Sequence, residues 1–134
     1  MERRKNDSVP KRTILVVDDE PGFRDMLKWH LDGIGGVDVA TARDGEEAMK
    51  HAVKGNIFLV ITDLTMPRLN GLELLEKIKE KNPQTEVVIL TGFGSVETAV
   101  HAMKKGAADF ILKPFDLKAF TKMVGKILGK VQEK

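Results

Sequence analysis

Five side chains that could do chemistry stand at the ends of apolar runs in this sequence. Asp18-Asp19 follow Ile14-Leu15-Val16-Val17, Asp63 follows Phe58-Leu59-Val60-Ile61-Thr62, Thr91 closes Val87-Val88-Ile89-Leu90, and Lys113 follows Phe110-Ile111-Leu112. Carboxylates from two runs, with no Cys in the chain and no local His pair, suit a hard, oxygen-preferring cation such as Mg²⁺, and Asp18, Asp19 and Asp63 are the candidate ligands. Crowded carboxylates repel one another unless a cation is present, and a bound divalent ion keeps coordination positions for water and phosphate oxygens. A phosphate partner follows from that donor set. Lys113 can bring a positive charge to a phosphoryl oxygen and Thr91 a hydroxyl donor. Asp63 can be the nucleophile that accepts the phosphoryl group as an aspartyl-phosphate.

Taken singly, each residue has a plainer reading. An Asp after a strand is as often a helix cap or turn former, a Thr before Gly92 favours a strand end, and a Lys is most often solvated. Lys113-Pro114 at a strand end adds a rigid turn, cis or trans, that aims the lysine. The conjunction carries the argument, because turn statistics do not put complementary phosphate chemistry on four of five strand ends. Other signals carry less. Gly92-Phe93-Gly94 begins like a dinucleotide fingerprint but has Glu97 where the third glycine should stand, and Gly33 to Gly36 lacks a Walker lysine. His30, His51 and His101 are too far apart for a local metal pair and read as surface or half-buried helix residues. Met26, Met49, Met103 and Met123 read as packing, and Trp29 as a cover for the first helix.

The elements that must position these residues alternate as βα five times. Strands are expected at Thr13–Asp18, Val37–Thr41, Ile57–Asp63, Glu86–Thr91 and Ala108–Lys113. Three of them are apolar on both faces, as strands covered by helices on both sides must be, so the sheet is parallel. Helix starts are marked by Pro21 after Glu20, by Asp44 with Glu47 as a capping box, and by Ser95 and Asp116 as caps. Gly55, Pro83 and Gly106 mark stops. The economical fold is one three-layer, doubly wound α/β domain with a five-stranded parallel sheet, spanning 13–131 between a basic leader at 1–12 and a tail at 132–134. In such sheets ligands bind outside the carboxyl ends of the strands, which is where the reactive residues fall.

Composition narrows the function further. The 134 residues carry a net charge of +2, distributed as +3 over 1–12, −5 over 13–112 and +4 over 113–134, which excludes a strongly basic nucleic-acid wrapper. Lys118, Lys122, Lys126, Lys130 and Lys134 form the wet face of an amphipathic last helix without the aromatic or Arg base readers of a nucleic-acid site. The absence of Cys removes disulfides and thiolate chemistry and fits a reducing compartment. No run approaches a membrane span and no signal peptide opens the chain, so a cytoplasmic location without membrane association is expected.

These residues, in this order, resemble the receiver domain of two-component response regulators. Asp18-Asp19, Asp63, Thr91 and Lys113 match that family's acidic pair, phosphoacceptor, hydroxyl switch and lysine, and Asp63-Leu64-Thr65-Met66-Pro67 before Gly71 and Lys113-Pro114-Phe115 match its connecting motifs. The stretch from Thr91 to Phe110 is similar to receivers of nitrogen-regulator-class (NtrC-like) enhancer-binding activators. The resemblance implies a flavodoxin-like fold and a phosphoryl group received on Asp63 from a histidine kinase or a small phosphodonor. It further implies Mg²⁺ held by Asp19, Asp63 and the Thr65 backbone carbonyl, with Asp18 acting mostly through water. Thr91 would then move inward and Phe110, three residues before Lys113, would fill the space it leaves. The shift would be relayed through the face of the fourth helix, Val96–Lys105, to an output domain or downstream protein of transcriptional type. A homodimer through the fourth-helix and fifth-strand face is a further expectation. Gly92 should leave the phosphoryl group open to water, and the only enzyme activity expected is self-phosphorylation and self-dephosphorylation.

Two other classes compete. Haloacid-dehalogenase phosphatases also combine an Asp nucleophile, Mg²⁺, a hydroxyl and a Lys, but their second carboxylate lies two residues after the nucleophile, where this chain has Thr65. A phosphate-independent interaction domain is the other alternative, and the intact set of five polar residues speaks against it. The short sequence after the last helix leaves a stand-alone receiver or a fragment of a longer regulator both open.

Overall fold

A computed structural model of the chain describes residues 12–92 and 95–132; the expected leader apart from Arg12, Phe93, Gly94 and the last two tail residues lie outside the described residues. The elements are β1 (Arg12–Val17), α1 (Pro21–Asp32), β2 (Val37–Ala42), α2 (Gly45–Val53), β3 (Ile57–Thr62), α3 (Gly71–Lys81), β4 (Glu86–Thr91), α4 (Val96–Lys104), β5 (Asp109–Leu112) and α5 (Leu117–Gln132). The strands form one parallel sheet in the order β2-β1-β3-β4-β5. The chain therefore leaves β1 toward one edge and returns to build toward the other, and the crevice at that reversal opens above the carboxyl ends of β1 and β3.

Alternate residues of the central strands feed two cores. Leu15, Val17, Val60, Val87 and Ile89 point to the side covered by Ala48 and Ala52 of α2, Leu74, Leu75 and Ile78 of α3 and Ala102 of α4. Ile14, Val16, Leu59, Ile61, Val88 and Leu90 point to Leu27 and Leu31 of α1 and Phe120, Val124, Ile127 and Leu128 of α5. The double-sided apolar runs thus have the three-layer cause expected of them.

The caps fall largely as predicted. Asp44 accepts from the Glu47 backbone N–H at 2.9 Å, but the Glu47 carboxylate reaches back to the Arg43 N–H rather than closing a box on Asp44. Ser95 and Thr98 bond each other's backbone at the head of α4, and Asp116 accepts from the Lys118 N–H at 3.1 Å. Asn70 and Glu73 form a full capping box on α3.

Some expectations are corrected. β1, β3 and β5 end one residue before Asp18, Asp63 and Lys113, so these residues sit just past the strands. Arg12 opens β1 instead of belonging to the leader, with its guanidinium on the Leu128 carbonyl at 2.9 Å and 4.7 Å above the Phe58 ring. Trp29 is not a cover for α1: it lies on the outer face of that helix and is 79% exposed, because Leu27 and Leu31 take the inward positions.

Candidate functional site

The reactive side chains are delivered by an extension of the sheet's own hydrogen bonding. The Asp18 N–H donates to the Ala42 carbonyl (3.1 Å), the Asp63 N–H to the Val17 carbonyl (3.0 Å) and the Lys113 N–H to the Thr91 carbonyl (2.8 Å). Each residue is one step beyond its strand yet anchored to the neighbouring one. The Lys113–Pro114 peptide bond is cis.

These anchors bring the predicted residues together. Carboxylate oxygens of Asp18, Asp19 and Asp63 lie within 4.8 Å of one another. Lys113 Nζ is 3.1 Å from Asp18 Oδ2 and 3.8 Å from Asp63 Oδ2. The other Asp18 oxygen accepts from the Glu20 N–H at 2.9 Å, and the Arg24 guanidinium braces the Asp18 carbonyl at 2.7 Å. Both Asp18 oxygens thus have protein partners, whereas Asp19 stands exposed at the mouth of the crevice.

Asp63 is the unusual member. Its Oδ1 is buried and has no hydrogen-bond partner among the described residues, a costly state for a carboxylate unless a ligand completes it. Burial pushes its carboxyl above the ordinary range, the Thr91 hydroxyl and the Lys113 charge pull it partly back, and the charge of Asp18 adds to the rise. The three-carboxylate donor set, with that orphaned oxygen, fits a divalent oxygen-seeking cation: Asp18, Asp19 and Asp63 could hold one, and the ion would supply positive charge for phosphoryl oxygens.

Gly71 explains how α3 comes so close. A Cβ there would overlap the Asp63 carbonyl oxygen and stand 2.9 Å from Leu64 Cα, and the Gly71 N–H donates to the Leu64 carbonyl at 2.8 Å. Thr91 is fully buried at the end of β4. Phe110 is half-buried in β5 and packs against the core on the side of α2, α3 and α4. Thr65 is exposed in the loop after Asp63. His30 is half-buried and bonds Thr121 at 2.6 Å, joining α1 to α5 away from the carboxylates.

The sequence reading missed a ring that belongs to the site. Lys113 Nζ lies 4.0 Å from the centroid of Phe23, on α1, and Phe23 meets Phe115 edge-on at 6.1 Å. Phe115 in turn leans on Phe120 at 5.3 Å. Lys113-Pro114-Phe115 is visible in the sequence as a motif, but nothing local ties it to Phe23.

The family model of the response regulator receiver domain matches residues 14–125. The chain is 37% identical over 118 residues to the response regulator protein PilR of Pseudomonas aeruginosa, covering 88% of this chain and 26% of that one. It is 41% identical over 116 residues to the transcriptional regulatory protein FixJ of Bradyrhizobium diazoefficiens, covering 85% and 55%. The crystal structure of the receiver domain of NtrX from Brucella abortus superposes with a TM-score of 0.80 at 38% identity, over 87% of this chain and 98% of that one. The chain spans between a quarter and just over half of the length of the two curated relatives.

Proposed function

The chain belongs to the response regulator receiver domain family of two-component signalling, and from that premise we propose that Asp63 is its phosphoacceptor. A phosphorylation-dependent switch is the function of such a domain, and NtrC-type regulators are among its relatives. The observation that carries the assignment is the Asp63 carboxylate itself: its Oδ1 is buried and, among the described residues, unpartnered, while its Oδ2 lies 3.8 Å from the Lys113 ammonium.

In the proposed reaction, Asp63 attacks the phosphorus of a kinase phosphohistidine or of a small acyl phosphate. The new P–O bond forms as the P–N bond, or the P–O bond to the acyl group, breaks, and the imidazole or carboxylate leaves with the bonding pair. Lys113 turns from Asp18 and Asp63 toward a phosphoryl oxygen; Asp19, Asp63 and the Thr65 carbonyl, with Asp18 mostly through water, would hold Mg²⁺, which would supply positive charge for the phosphoryl oxygens. The Thr91 hydroxyl donates to another phosphoryl oxygen, and Phe110 moves into the space Thr91 leaves, a shift between two packings of one fold.

Exposed Val96, Val100 and Met103 on α4 and Leu112 on β5 give the shifted face an apolar surface, which supports the docking of an output domain, a downstream protein or a second copy there. The proposed setting is the cytoplasm and the proposed output transcriptional. Among the described residues no helix is long and apolar enough to cross a membrane.

The test is intact-mass spectrometry in mild acid after incubation with acetyl phosphate and Mg²⁺. One added phosphoryl group, absent in Asp63→Asn and with a chelator, is the expected result. A folded chain that takes no phosphoryl group from acetyl phosphate or from any histidine kinase offered would overturn the assignment.

A further inference from the structure

Among the described residues, three groups meet the Lys113 ammonium: two carboxylates and an uncharged ring. Asp18 Oδ2 lies at 3.1 Å, Asp63 Oδ2 at 3.8 Å, and the Phe23 ring centroid at 4.0 Å. An ammonium over a ring face at that distance is held by the ring's quadrupole, and more strongly where water is thinned out. Here the lysine side chain is only 21% exposed. A lysine stem has four rotatable bonds, so a charged end that must face first two carboxylates and then a phosphoryl oxygen has many ways to swing into solvent.

The ring is itself anchored by the lysine's own turn. Phe115, two residues beyond Lys113, presents its ring to Phe23 at an interplanar angle of 85°, and Phe115 rests on Phe120, which is 1% exposed in the core. Movement of the turn therefore carries the lysine and the support of its ring together. Phe23 enters from the other side, on the first turn of α1, immediately after the loop that bears Asp18 and Asp19. The ring thus ties the element that delivers the acidic pair to the element that delivers the ammonium.

We propose that Phe23 is a positioning residue for phosphoryl transfer: its ring face holds the Lys113 ammonium over the crevice, through a cation–π contact, as the lysine exchanges Asp18 and Asp63 for the incoming phosphoryl oxygen. The inference rests on the role given to Lys113 above. It adds that the chemistry of the residue at 23, and not merely its bulk, sets the rate at which Asp63 is phosphorylated.

The experiment replaces Phe23 by Leu, by Tyr and by phenylalanines carrying one, two and three ring fluorines, which keep the shape while draining the face of negative potential. Phosphorylation by acetyl phosphate with Mg²⁺ is followed by intact mass, and in the metal-free protein the Lys113 side-chain methylene protons are followed by NMR for the upfield shift a ring face imposes. Phe23→Leu should slow phosphorylation about three- to tenfold, Phe23→Tyr should restore most of the rate, and the fluorinated series should slow step by step with fluorine number. The ring-induced shift should persist in Tyr and vanish in Leu. A Leu variant as fast as the parent, or a fluorinated series flat at the parent rate, would overturn the proposal. If the parent protein takes no phosphoryl group while its Lys113 protons still carry the ring shift, the functional reading has failed and the ring contact stands. If phosphorylation proceeds and the shift is absent, the positioning role has failed alone.

Discussion

The interior of the sheet and the inner residues of its carboxyl rim, Asp18 and Thr91, are both buried and are chemically opposite. Ile14 to Val17, Leu59 to Ile61 and Val87 to Leu90 are at most 1% exposed, and their neighbours are apolar on both faces. One residue later β1 and β4 present Asp18 at 2% exposure and Thr91 at 0%, and two residues after Ile61 comes Asp63, its side chain at 12%. In the interior, burial lowers the free energy of the fold; at the rim it raises the pKa of Asp63 and leaves one of its oxygens unpartnered. A rim that converges charges before a ligand arrives is unfavourable by itself and is held in place by the surplus stability of the frame beneath it. Removing pieces of the frame and pieces of the rim should therefore change stability in opposite directions.

The largest effect is expected from the frame. Ile78, 1% exposed two turns along α3 from Gly71, should cost about 2–5 kcal/mol on Ile78→Ala, read by urea unfolding. The fraction that remains folded should accept phosphoryl groups at the parent rate, since the residue is remote from the rim. A slowed folded fraction would show that interior packing and rim geometry are not separable. Gly71→Ala tests the seam between the two regions. Its Cβ would meet the Asp63 carbonyl oxygen and Leu64 Cα, both backbone atoms that cannot rotate away. A loss of about 1–3 kcal/mol is expected, together with slower phosphorylation because Asp63 is displaced.

How far these regions could be read from sequence follows from how local their causes are. The βα order, the two-faced strands and the convergence of Asp18, Asp63, Thr91 and Lys113 were legible because each depends on a run of residue types and its end. Asn70 with Glu73 carried the spacing of a capping box and could have been found the same way. Arg12 was not legible as a strand residue, since its contacts with Leu128 and Phe58 come from other parts of the chain. The Phe23, Phe115 and Phe120 contacts likewise join α1, the turn after β5 and α5, and no periodicity relates them. Trp29 misled for a related reason: size and apolarity suggested cover, but the 3.6-residue period of α1 turns it away from Leu27 and Leu31.

Asp63→Asn should act in the direction opposite to Ile78→Ala. Because the folded protein holds the Asp63 carboxyl above its ordinary value of 3.8, the unfolded chain releases that proton first as pH rises. The parent protein thus loses stability from that pH upward until the folded carboxyl has also ionised, and then levels off. The Asn variant has no such loss. With a chelator present, it should match the parent in acid and exceed it by about 1 kcal/mol at neutral pH, and Mg²⁺ should narrow the gap by stabilising only the parent.

The smallest effect belongs to a carboxylate whose shift has the other sign. Glu76 on α3 is paired with Lys105 just past α4, and the hydrogen bond and charge of that lysine hold its carboxyl below the ordinary 4.5. Its contribution is present above that pH and is lost as the medium is acidified through the depressed value. Glu76→Gln should therefore weaken the protein slightly at neutral pH and become indistinguishable from the parent in acid. The glutamate side chain is 49% exposed, so the change in Tm should be no more than about 1 °C at low salt and should vanish as salt is raised. Thermal unfolding of both carboxylate variants across pH 3–8 would put the two regions side by side: a gain that grows with pH for the buried rim carboxylate, against a slight loss that grows with pH for the surface one. Equal signs would mean that burial at the rim, rather than charge as such, is not what sets Asp63 apart.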